Sequence, residues 1–96
     1  GRAETLTSSV TLAFSDYRVR LWTVNTASLS AYLPAPSAQI GTGGPFFTIK
    51  NASGSMQSLT LRDDAGSSIA TIAAGGLARC FILDDGSANR TWTVIG

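Results

Sequence analysis

The amino-acid sequence predicts an all-β fold: a single antiparallel β-sandwich of about eight strands, jelly-roll-like or barrel-like. Three observations predict it. From residue 45 onward, short apolar runs alternate with polar turn clusters: Pro45-Phe46-Phe47-Thr48-Ile49, Leu59-Thr60-Leu61-Arg62, Ile69-Ala70-Thr71-Ile72, Phe81-Ile82-Leu83 and Thr91-Trp92-Thr93-Val94-Ile95. No long segment keeps a helical period free of β-branched residues and glycine, so strands are the default throughout. The separators, Asn51-Ala52-Ser53-Gly54, Asp63-Asp64-Ala65-Gly66, Ala73-Ala74-Gly75-Gly76 and Asp84-Asp85-Gly86, are residue types that supply tight turns and positive φ.

Taken in order, the first strand is expected over residues 5–14, preceded by a loose N-terminal arm at 1–4, with Val10, Leu12 and Phe14 on one face. Ser15-Asp16 turns the chain into residues 17–24. There Tyr17, Val19 and Leu21 alternate with Arg18, Arg20 and Trp22. The first set is assigned to the core and the second to an outward stripe. That stripe either rests in solvent, with arginine stems beside the indole, or meets a partner's carboxylate or flat apolar surface. A third strand over 27–33 ends at Leu33-Pro34-Ala35-Pro36, because proline lacks the ladder donor and restricts the residue before it. Residues 34–44 form the longest connection. Residues 46–50 and 57–62 read as a hairpin joined by the Asn51 turn, followed by strands at 68–72, 77–83 and 90–95.

The totals narrow the function. The chain has 96 residues, enough for one domain over its whole length, and a chain of this size buries about two-thirds of its unfolded surface. Charged residues are 14%, against about 25% in an average soluble domain. Something other than charge covers part of the surface: either serine, threonine, asparagine and glycine, or contact with identical subunits or a larger assembly. A net charge of +1 supplies no field to steer nucleic acid or an anionic membrane, and no apolar run has the length of a helical bilayer span. Cys80, the single cysteine, excludes an internal disulfide and lies in an apolar run where it reads as a core residue.

Catalytic chemistries fail one after another. Histidine is absent, which removes Ser-His-Asp and Cys-His catalysis and His-based metal sites. Lys50 is the only lysine and sits at a strand end, with no serine at the spacing of a Ser-Lys motif. The glycine-rich stretch Gly41-Thr42-Gly43-Gly44 lacks the Gly-Lys-Ser/Thr ending of a phosphate loop. The Asp-Asp turns lack the spacing and distal glutamate of a calcium loop, so no metal and no cofactor is expected. The expectation is a protein without enzymatic activity.

One resemblance carries the reading further. An extended run, Leu33-Pro34, a loop, Phe47-Thr48-Ile49-Lys50-Asn51, a small polar turn, Leu59-Thr60-Leu61, Ala65-Gly66, an isoleucine–glycine turn and a closing Trp92 resemble the small β-modules of tailed-bacteriophage virions, found in capsid decoration proteins and tail-fibre segments. The resemblance covers residues 33–96. Taken as a complete chain, it implies a decoration (cement) protein on the outer capsid surface, forming a trimer and contacting the major capsid protein. The alternative is a tail-fibre or adhesin module binding cell-surface carbohydrate, with Trp22 or Tyr32 as the sugar platform. Neither nucleic acid nor membrane is an expected partner. The expected contact residues are Arg2 in the arm, Arg18, Arg20 and Trp22 in the stripe, and Pro36, Ile40 and Thr42 in the long loop.

Overall fold

The structure, a computed structural model, describes residues 1–36, 44–83, 86 and 90–96. Among them are nine strands and no α-helix: β1 (Arg2–Leu6), β2 (Val10–Thr11), β3 (Val19–Val24), β4 (Ser30–Tyr32), β5 (Phe47–Asn51), β6 (Leu59–Arg62), β7 (Ser68–Ile72), β8 (Leu77–Leu83) and β9 (Thr91–Ile95). The expected all-β class is thus observed. Among the described residues no helix is long and apolar enough to cross a membrane. Ile40, Thr42 and the Asp84-Asp85 turn lie outside the described residues.

The strands form a five-stranded sheet in the order β1-β3-β5-β8-β9 and a four-stranded sheet in the order β2-β4-β6-β7. Both sheets are mixed, which corrects the expectation of antiparallel pairing, and neither closes into a barrel. β1, β3 and β5 run parallel in the larger sheet, and β2, β4 and β6 run parallel in the smaller one. The cause is the path of the chain. Each connection up to β6 carries it from one sheet to the other, so every second strand re-enters the same sheet in the same direction. Parallel neighbours require such a crossover, and here the opposite sheet serves in place of a helix. The first six strands therefore make a flattened coil. Only the return is antiparallel: β6 with β7, β8 with β5, and β9 with β8.

The expected hairpin between 46–50 and 57–62 does not form, since β5 and β6 lie in different sheets. The turn's donors are used elsewhere. Ala52 N–H donates to the Trp22 carbonyl at 2.7 Å, and the N–H groups of Met56 and Gln57 donate to the Val24 carbonyl at 3.1 and 2.9 Å. The segment is thereby tied to the end of β3 and delivered to the smaller sheet. Asn51, wholly buried, fixes the crossing by donating from Nδ2 to the carbonyls of Gln57 and Ile72, both at 2.9 Å. Buried carbonyls left without such a donor would be costly, by about 1–3 kcal/mol each.

The N-terminal segment is also corrected. Residues expected as an arm begin β1, which pairs with β3 from Arg2↔Arg20 to Leu6↔Val24. The single strand expected over 5–14 is broken between β1 and β2 by a bend at Thr7-Ser8, with the sheets exchanged across it.

The core draws on both sheets. Trp22, Val24, Phe47, Ile49, Ala78, Cys80, Ile82 and Trp92 come from the larger, and Ala31, Leu59, Leu61 and Ile72 from the smaller. At one end Phe14, Phe46, Phe47 and Trp92 form an aromatic group with ring centroids 5.7–6.2 Å apart. The Trp92 indole N–H donates to the Pro34 carbonyl at 2.7 Å, which pins the start of the long connection against β9. Cys80 is buried among these side chains, and burial alone pushes its thiol up to about 12. It is a core residue, as its apolar setting predicts.

Candidate functional site

The inward and outward faces of β3 are reversed from expectation. Trp22 and Val24 are fully buried and Arg20 is 8% exposed, whereas Tyr17 and Val19 are each 54% exposed and Leu21 is 40% exposed. Arg20 and Trp22 therefore do not belong to an outward stripe. The physical reason lies in β1, whose parallel register sets Glu4 opposite Trp22 on the inner face. Glu4 Oε1 accepts from Arg20 Nη2 at 2.6 Å and from the Trp22 indole N–H at 3.0 Å. The Arg20 guanidinium also lies over the Trp22 ring, 5.3 Å from its centroid. A guanidinium with a carboxylate partner and a π-face is tolerated where a lone cation would not be.

The cluster shifts the Glu4 carboxyl. The indole N–H, followed by the guanidinium, holds its carboxyl below the ordinary carboxylate value of 4.5, against a smaller opposing effect of burial. Arg20 Nε is buried without a hydrogen-bond partner. Beside the cluster lies a hollow of about 210 Å³ lined by Arg2, Ser15, Asp16, Tyr17 and Arg20. The Arg2 guanidinium sits over the Tyr17 ring at 5.6 Å. Asp16 closes the turn above it, accepting the Ala13 N–H on Oδ2 at 2.8 Å.

The outer face of the five-stranded sheet is a second feature. Strand alternation and register align Ala3, Leu21, Lys50 and Leu77 across it, and next to them Val19, Thr48, Arg79 and Ile95. Leu83 and Ile95 are 52% and 56% exposed. Lys50 and Arg79 are the charged strand residues on this face, and no carboxylate stands among them. An apolar, basic surface results in the middle of a sheet, where a solvated face would be polar.

Of the other expected contact residues, Arg2 is exposed at the hollow and Arg18 is exposed with its guanidinium 5.4 Å from the Phe46 ring centroid. Pro36 is buried and so presents no contact surface as it stands. Among the described residues no three histidine, cysteine, aspartate or glutamate side chains gather where a metal could be held. Asp63 is occupied within its own turn, its Oδ1 accepting the N–H groups of Ala65 and Ser67 at 3.0 and 2.8 Å. Sequence reasoning missed Glu4, Ser15, Asp16 and the outward role of Tyr17, Val19 and Leu21. One signal for Glu4 was present: it is the only glutamate in the chain and alternates with Arg2 at a spacing that puts both on one strand face.

No protein-family model, curated protein or solved structure matches the chain. What fold and surface define is a class: a two-sheet, mixed all-β protein with a part-buried ionic cluster and an exposed apolar sheet face.

Proposed function

We propose that the chain is a non-enzymatic structural module of a tailed-phage virion that coats the outer surface of the capsid shell as a homotrimer, its two sheets forming the layers of a sandwich. A single observation supports this most: Val19, Leu21, Leu83 and Ile95 stand exposed on one sheet face together with Lys50 and Arg79. Exposed apolar groups gathered in this way mark an interaction surface. Two cations with no carboxylate among the described strand residues of the face disfavour its pairing with its own copy, so its occupant is a capsid subunit that offers apolar and acidic groups. Contacts between copies fall to the edge strands β1 and β9 of the same sheet, which can add strands from neighbours. The single core fed by both sheets supports the sandwich reading.

The experiment is the copy number of the chain relative to the major capsid protein in purified virions, by quantitative mass spectrometry. Near-stoichiometric abundance is expected. A handful of copies per particle would move the module to the tail, and absence from virions would end the structural reading.

A further inference from the structure

The hollow beside β1 and β3 has no part in the proposed capsid contact, and its chemistry is specific. From its lining we propose that it is a saccharide site, holding one pyranose ring with Tyr17 as the apolar platform and Arg2, Ser15, Asp16 and Arg20 as the hydrogen-bonding rim.

Size is the first argument. About 210 Å³ lies below the ~300–1,000 Å³ of pockets for drug-sized ligands and suits a single sugar ring or a smaller polar group. Charge is the second. The cations Arg2 and Arg20 are balanced by the carboxylates Asp16 at the rim and Glu4 behind it, so no net field selects a free anion. A phosphate or carboxylate entering here would meet both acidic groups. A neutral polyol would instead find donors and acceptors side by side: guanidinium N–H groups, the Ser15 hydroxyl and the Asp16 carboxylate. Tyr17 is the third. It is 54% exposed, and the Arg2 guanidinium holds the ring from one side at 5.6 Å. A phenol so placed gives a sugar's C–H face an apolar contact and its hydroxyls a polar neighbour. Lastly, Arg20 lines the hollow while only 8% exposed and is held by Glu4 at 2.6 Å, so its place in the rim is set before any guest arrives.

This assignment replaces Trp22 as the sugar platform, since Trp22 is fully buried. It holds for the chain wherever in a particle it is mounted. The test is titration of the full chain with the methyl glycosides of glucose, galactose, mannose and N-acetylglucosamine, followed by amide NMR shifts, with sodium acetate and inorganic phosphate in parallel. The expected result is a saturable shift with at least one glycoside, confined to the amides of Arg2, Ser15, Asp16, Tyr17 and Arg20. Tyr17→Ala and Asp16→Asn, both at exposed positions, should each weaken it by about tenfold or more while leaving the rest of the spectrum in place. No saturable shift with any glycoside, shifts that survive both substitutions, or saturation by acetate or phosphate alone would overturn the proposal.

Discussion

The two faces of the five-stranded sheet make opposite use of similar residue types. On the inner face an arginine and a glutamate are drawn in beside a buried tryptophan; on the outer face valine, leucine and isoleucine are left in water. Neither arrangement follows from hydropathy, and each has its own cause. The inner cation is retained because β1 supplies a carboxylate and Trp22 an indole N–H and a ring. Among the described residues the outer side chains have no such partner, which points to one outside them. A polar group inside and an apolar group outside are the two informative exceptions to burial rules, and here a single alternating strand carries both.

The inner face is where substitutions should act most strongly on stability. Trp22→Ala removes the largest fully buried side chain and should cost about 3–5 kcal/mol, read from the shift of the urea unfolding midpoint at constant slope. A smaller loss would mean that the sheets collapse onto the void. Glu4→Gln should cost less, about 1–3 kcal/mol, since the Arg20 guanidinium keeps a neutral acceptor but loses its counter-charge. Its pH signature separates it from a packing defect. The Glu4 carboxyl is depressed in the folded state, so its contribution is fully present above the unfolded value of 4.5 and is lost as pH falls through the folded value. The Gln variant should therefore lose this part of the wild-type acid sensitivity, and an unchanged stability-versus-pH profile would show that the ion pair is not formed. Cys80 offers a third reading of the same face. With its thiol pushed up to about 12 by burial, it should resist thiol reagents at neutral pH in the native protein and react only as the chain unfolds; labelling at the rate of an exposed thiol would place it outside the core.

Much of this was legible in the sequence, and the boundary is physical. Class, the turns at 63–66 and 73–76 and the positions of β5 to β9 followed from alternation and from residues such as Asp63 and Gly66, whose preferences are local: Gly66 takes a φ of 90° and Asp63 closes its own turn. Pairing was not legible. Whether the turn after Asn51 returns a strand to its neighbour or passes it to the other sheet depends on carbonyls of Trp22 and Val24, distant in sequence. The same holds for the face of β3. Tyr17-Val19-Leu21 and Arg20-Trp22-Val24 are both acceptable core sets by hydropathy, and a one-residue change of phase exchanges them. What decides is Glu4 on a neighbouring strand, so the arginine was read as a surface residue and the outer apolar face was missed along with it. Tyr17, Ser15 and Asp16 were read as core and turn, and only the fold brings them beside Arg2 and Arg20.

The smallest expected effect on stability falls on the outer face, and the largest expected effect on capsid binding falls there too. Leu21→Glu changes a side chain that is 40% exposed and should alter unfolding free energy by no more than about 1 kcal/mol. If the face is seated on a capsid subunit, the same change places a carboxylate where the partner must offer apolar and acidic groups. The decisive measurement is co-sedimentation of wild-type and Leu21→Glu protein with virions stripped of the chain. Binding should weaken by at least about tenfold with the native fold retained; wild-type binding by a folded Leu21→Glu protein would rule out this face as the capsid contact.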